Sequence, residues 1–405
     1  MKKRKFTGPK EVFEKLYRSI GKQQSQALLS KLLEEESFAS TMTFSRFLAY
    51  SIAVLVHIST LFILFSGVWT LIWSRFDFWR VVLVVLPCFW LSWKFRPYIP
   101  VAPRFLVDRD EFSALYAFVD SVAEILGVPP IDGIVISEEF NASFSRTGLK
   151  RKRVLTLGLS LWSILNKQEK ISLVAHELAH DVNGDPNRGL VIGNAIYTLA
   201  RWYNTLRPAY IFSPTPNFGI IELLMVPFNL MMFCLSMIPW SIGSTLVHLL
   251  WRDQQRAEYL SDYLASTVSG REAAISLLEK LYLHSSFESL VEKLYHRPRR
   301  NTKFFEELRR CAAEDWQEKL AQMKDEEKEE GGRLDVTHPP TAYRIALLEK
   351  KATLSHKMYL VKWSDAVEHI FQASEAGMQN RIFEEYGLHL HVERMYRESQ
   401  IYPRP

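Results

Sequence analysis

Phe47–Ser74, Val81–Trp93 and Leu223–Trp251 are strongly apolar stretches that contain no Asp, Glu, Lys or Arg. Other parts of the chain are densely charged, as in Lys324-Asp325-Glu326-Glu327-Lys328-Glu329-Glu330. An α-helix rises about 1.5 Å per residue, so a bilayer core of about 30 Å needs about 20 apolar residues. Phe47–Ser74 exceeds that, with His57 as its one side chain of the kind that titrates near neutral pH. Val81–Trp93 is shorter, but Phe78, Trp79, Trp90 and Trp93 can sit at the interfaces while Arg80, Lys94 and Arg96 extend outward. The two runs predict a transmembrane hairpin that turns at Arg75–Asp77. The mean hydropathy of -0.07 is therefore an average of unlike parts, membrane helices and a charged water-soluble portion. Composition excludes intrinsic disorder and a fibrous repeat.

Sidedness follows from charge. The first 46 residues carry ten Lys and Arg, the predicted turn region only Arg75 and Arg80, and the segment beyond returns to Lys94, Arg96, Arg104 and Arg109. By the positive-inside rule both flanks of the hairpin lie in the cytoplasm. A long polar lead before the first apolar run argues against a cleaved signal peptide. Cys88, Cys234 and Cys311 show no paired spacing, so no disulfide framework is expected. A net charge of +5 is too mild to imply a nucleic-acid partner. The clusters Lys150-Arg151-Lys152-Arg153 and Arg297-Pro298-Arg299-Arg300 are expected to face lipid headgroups or water.

The water-soluble portion carries the chemistry. Phe112, Leu115, Phe118, Val119 and Val122 recur at helical spacing between Asp110 and Leu126, and Gly127-Val128-Pro129-Pro130 ends the pattern. Ile134–Ile136 and Val154–Leu157 predict two strands joined by a polar connection, Ser137 to Arg153. Next comes a helix opened by Asn166 and Glu169 in capping-box spacing, with Ile171, Val174, Ala175 and Leu178 as its buried face and Gly184-Asp185-Pro186 as its end. On it lies His176-Glu177-Leu178-Ala179-His180. Imidazoles at i and i+4 sit one turn apart on one face, where both can bind one ion. Glu177 is placed to take a proton from water on that ion, because zinc in a catalytic site brings the pKa of bound water near 7.

A third ligand is offered by a second helix, Leu249 to about Thr267, where Glu258 and Asp262 share a face at i and i+4. Two His with one Glu is a known catalytic zinc set with an open fourth position. Asp262 is then expected to hold a histidine ring in the right tautomer.

These residues resemble, in order, the HtpX-type family of membrane zinc endopeptidases, relatives of the CAAX prenyl endopeptidases. The resemblance rests on HELAH with Asn183-Gly184-Asp185, then an apolar insertion, then Ala257-Glu258-Tyr259-Leu260-Ser261-Asp262. Leu157-Gly158-Leu159 with Trp162-Ser163-Ile164-Leu165, and Thr337-His338-Pro339-Pro340-Thr341 with Arg344 and Ile345, agree with it. It covers roughly residues 105–350. It implies a mainly α fold with a small β-sheet, a gluzincin-type metalloprotease domain carrying transmembrane helices. It implies one zinc ion on His176, His180 and Glu258, with Glu177 as general base and later proton donor to the leaving amine. His338 becomes a candidate for stabilising the oxyanion, Arg344 for anchoring the site by an ion pair, and Asn141 and Ala142 for a substrate-binding edge strand. Expected substrates are proteins or peptides at a bilayer, misfolded membrane proteins above all, with the site on the cytoplasmic side of a bacterial plasma membrane. CAAX-type processing and a catalytically silent scaffold are the alternatives. A transporter would place more polar residues inside the spans than His57, Asn229 and His248.

The expected organisation is a cytoplasmic segment 1–46, a transmembrane hairpin 47–96, a protease domain 97–350 with a membrane insertion at about 189–251, and a helical extension 351–405. Residues on both sides of that insertion must meet at one ion, so it crosses the bilayer an even number of times. Either a span continuing beyond the zinc helix through Trp202 and Leu206 pairs with Leu223–Trp251, or Leu223–Trp251 is itself a hairpin broken at Pro239. Either way four spans are expected in all. Asp325–Gly332 reads as an acidic linker able to cover the cleft, and His389 and His391 alternate as on a strand.

Overall fold

The computed structural model describes residues 9–35, 43–73, 77–97, 105–148, 150–184, 189–208, 220–296, 303–313, 320–321, 323–325, 338–352 and 357–401. The predicted turn at Arg75–Asp77 and the acidic linker Asp325–Gly332 fall almost wholly outside them. The chain is mostly helical with one small sheet, and it divides into two units: Met1–Ser40 with Pro100–Asp185 and Gln254–Pro405, and Thr41–Ile99 with Pro186–Asp253.

The second unit contains the charge-free runs. Helix Phe44–Trp73 has 30 residues, and a fifth or so of its most apolar window (22%) is buried, so most of its side chains face outward. Helix Phe78–Phe95 and the long helix Ile220–Ser269 are likewise long and apolar enough to cross a membrane, which makes three such helices among the described residues. Alanines and larger aliphatic side chains interlock at the helix contacts, the close packing that holds membrane helices together. Ala49, Ala53 and Val56 meet Ile192, Ala195, Leu199, Leu246 and Leu250. A Cβ at Gly67 would lie 2.9 Å from the Cβ of Cys88, so the two hairpin helices need glycine there. Arg80 lies over Trp73 and Arg96 over Trp93, ring contacts of 4.8 and 4.0 Å that suit an interfacial belt.

Leu223–Trp251 is not a hairpin. One helix runs unbroken from Ile220 through Pro227 and Pro239 to Ser269. A proline costs a helix one hydrogen bond, but apolar surroundings leave the chain no water with which to satisfy a broken backbone, so bending is favoured over turning. Ahead of it, a π turn Gly189–Gly193 leads into helix Asn194–Leu206, and His57 Nε2 meets the Val191 carbonyl of that turn at 3.0 Å.

The first unit is built on three strands, β1 (Gly133–Ser137), β2 (Ala142–Thr147) and β3 (Lys152–Gly158), in the order β1-β3-β2. β1 runs parallel to β3 and β2 antiparallel to it. The polar connection Ser137–Arg153 thus contains a strand that alternation does not reveal. Its sequence, Ala-Ser-Phe-Ser-Arg-Thr, has one large apolar residue, and most of it is at least partly exposed. Gly158 closes β3, where a Cβ would collide with the carbonyls of Glu139 and Asn141. Helix Ser113–Leu126 ends at Gly127, whose φ of 71° is the left-handed cap.

The core of this unit joins Phe118, Val119 and Val122 to Leu155, Leu157, Val174 and Leu178. The C-terminal helix Ala366–Ile401 contributes to the same core through Val367, Phe371, Ile382 and Phe383. Phe371 stacks on Trp162 with centroids 4.3 Å apart. His389 and His391 lie on that helix, not on a strand, because the preceding apolar residues keep helical spacing.

Candidate metal centre

Helix Lys167–Val182 begins as its sequence predicts. The Asn166 side chain accepts from Glu169 N at 3.0 Å and Glu169 returns the contact to Asn166 N at 2.7 Å, a complete capping box. Glu169 also bonds Ser276 and Lys280 at 2.6 Å each, tying the start of this helix to helix Arg271–Leu281. With its apolar face fully buried, rotation about the helix axis is set, and both histidines and Glu177 turn to a cleft of about 590 Å³.

His176 Nε2 and His180 Nε2 are 3.3 Å apart, and each lies 3.7 Å from a Glu258 carboxylate oxygen. Two donor atoms about 2.0–2.1 Å from a shared tetrahedral ion are about 3.3 Å from each other. The set therefore fits a zinc-sized ion, and these three are the group with metal-ligand spacing among the described residues. Around them the hydrogen bonds face outward. His176 Nδ1 is 3.0 Å from Asp262 Oδ1, which directs its Nε2 lone pair inward. His180 Nδ1 is 3.4 Å from Ser261 Oγ, and Asn183 donates to that hydroxyl and to the Ala257 carbonyl, 3.1 Å each.

Arg344 grips Asp262 with two bonds of 2.7 and 2.6 Å and lies 3.5 Å from Glu258. Burial disfavours its charge, but the two carboxylates outweigh that and hold its proton more firmly than usual. His338 Nδ1 stands 2.9 Å from Glu258 Oε2, with its ring largely exposed, and Gln255 donates to its carbonyl at 3.3 Å. Glu177 lines the same cleft, and burial pushes its carboxyl above the usual carboxylate range against the opposing pull of the two imidazoles. Asn141 and Ala142 border the cleft at the start of β2, an outer strand.

A buried ionic group beside the centre has no clear signature in the sequence. Asp181, next to His180, accepts from Arg146 at 2.8 and 3.1 Å and from Arg153 at 2.9 Å. The basic run Lys150–Arg153 predicts an Arg153 that faces lipid or water, and the structure buries it instead. Its side chain is only 8% exposed, and it also bonds the carbonyls of Pro129 and Pro130. Its signal was weak, since four consecutive basic residues look alike until one finds a buried acid.

Two histidines on one helical turn with a glutamate from a second helix have the donor pattern of HExxH metallopeptidases. Residues 111–352 match the model of peptidase family M48, more than half of the chain, and the chain belongs to that family. The protease HtpX homolog of Thermococcus sibiricus is 27% identical to it over 142 residues. That match covers 34% of this chain and 44% of the relative, so the chain spans less than half of that curated relative's length. No solved structure matches.

Proposed function

We propose that this chain is a membrane-embedded zinc endopeptidase that cleaves peptide bonds in membrane-associated or misfolded proteins. The observation that carries the reading is the meeting of His176, His180 and Glu258 at ion-sharing distances, with the carboxylate of Glu177 in the same cleft. Zinc held there supplies Lewis acidity, which brings water ionisation near neutral pH and polarises a peptide carbonyl. Glu177 takes the proton of the attacking water and passes it to the departing amine nitrogen. His338 donates to the carbonyl oxygen as negative charge gathers there. Asp262 keeps the His176 ring turned, and Arg344 keeps Asp262 in place. An extended substrate pairs with the outer edge of β2 at Asn141 and Ala142, so backbone is read more than side chains and specificity is broad.

The charge-free run ends at Trp251, seven residues before Glu258 along one helix, which favours substrates presented at the membrane surface. Counting Gly189–Leu206 as a short crossing beside the three long apolar helices makes four, the even number that lets both helices of the centre share one side. The charge bias makes that side cytoplasmic, in a bacterial plasma membrane.

The full chain purified in detergent is expected to hold one zinc per chain and to cleave an unfolded protein. A chelator should abolish cleavage and added zinc restore it; a protein with neither zinc nor cleavage overturns the reading. Asp262→Asn is expected to weaken zinc binding about 10–100-fold in chelator competition. An unchanged constant would remove Asp262 from its assigned role.

A further inference from the structure

The N-terminal helix Pro9–Glu34 and the residue after it lie outside the family match, ahead of the first apolar run. Their contacts converge on the segment that carries Glu258. Leu32 is fully buried against Tyr259, Tyr343 and Leu347, with Leu28, Leu29 and Leu33 packed beside it. Glu35 receives both guanidinium nitrogens of Arg256, Nη2 at 2.7 Å and Nη1 at 3.2 Å. Its own carbonyl accepts from Lys351 Nζ at 2.8 Å.

Arg256 and Tyr259 bracket Glu258 in the chain, one held by an ion pair and the other by a buried leucine. Tyr343 and Leu347 belong to helix Thr341–Lys351, which also carries Arg344. One helix therefore bears on both elements that supply the carboxylate side of the centre. A two-point bidentate contact sets direction as well as distance, which a single ammonium contact does not.

We infer that this N-terminal helix is a strut of the metal centre, with Glu35 a positioning residue that acts on Glu258 through Arg256. The inference rests on the zinc reading above. It assigns a role to a segment outside the three residues at ion-sharing distance.

The test uses the full chain in detergent and measures the zinc dissociation constant by chelator competition, alongside the thermal midpoint of the zinc-free protein. Glu35→Gln is expected to weaken zinc binding about three- to tenfold, less than a direct outer partner of a metal ligand contributes, because Glu35 acts through Arg256. The charge exchange Glu35→Arg with Arg256→Glu should recover most of that loss, which a contact of purely bulk packing would not. Leu32→Ala tests the other point of the bracket and should weaken zinc in the same direction. Zinc constants within twofold of wild type in both Glu35→Gln and Leu32→Ala overturn the inference, as does a charge exchange that recovers nothing. A wild-type protein that binds no zinc overturns the zinc reading itself, and the inference falls with it.

Discussion

Glu177→Gln is expected to lower peptide hydrolysis by about 10²–10⁴-fold, the span that a positioned general acid–base group contributes, with zinc content at the wild-type level. Glutamine has the shape of glutamate and keeps its hydrogen-bonding length, but it cannot accept a proton at neutral pH. Glu177 is not among the three residues at ion-sharing distance, so its replacement leaves the donor set intact. Burial raises the proton affinity of its carboxyl against the opposing pull of the two imidazoles. Initial rates on an unfolded protein, with zinc counted by elemental mass spectrometry, check this. Hydrolysis within tenfold of wild type in a zinc-loaded variant would remove Glu177 from the mechanism.

Asp181→Asn is expected to have the largest effect on stability. Arg146 and Arg153 stand directly opposite each other across β2 and β3, an arrangement that like charges make unfavourable. Asp181, 2% exposed, sits between them and accepts from both. Removing one partner of a buried ion pair costs about 3–5 kcal/mol, and the low end applies because Arg146 is a quarter exposed (26%) and its charge is partly screened. For a domain of this size about 3 kcal/mol corresponds to a fall of roughly 6–12 °C in thermal midpoint. Arg146→Gln in the same background should recover a large part by removing one of the two unpaired charges. An Asp181→Asn midpoint within 2 °C of wild type, about the shift from 1 kcal/mol or less, would show that the triad carries little.

That triad also joins two parts of the proposed machinery. Asp181 follows His180 directly, while Arg146 lies on the outer strand that borders the cleft. The distance between strand and histidine helix is thus held by charge, and an Asp181 variant is expected to disturb substrate pairing as well as stability.

Much of the centre was legible in the chain alone. The HELAH spacing, the capping box at Asn166 and Glu169, and the pair Glu258 and Asp262 each lie within one or two helical turns, so helix geometry dictates which side chains share a face. The charge-free runs were equally legible, because a bilayer demands length and lack of charge and little else. β2 was not, since an outer strand with polar side chains has no alternation to display; only the resemblance pointed to Asn141 and Ala142. Of the two arrangements open for the insertion, the hairpin broken at Pro239 is the one that did not form, for a related reason. Proline disrupts a helix in water, where the freed carbonyl can be solvated, and is carried within a helix where it cannot.

Residue chemistry and spacing therefore determined the class of centre, its donor atoms and the existence of membrane helices. Folding in three dimensions selected the distant partners. Arg344 reaches Asp262 across 82 positions, Arg256 reaches Glu35 across 221, and Phe371 completes a core around Trp162 from beyond the family match. Helical periodicity is a local property with a fixed rise and turn. An ion pair or a stacked ring forms wherever burial, charge and shape coincide, and that coincidence exists only once the chain is packed.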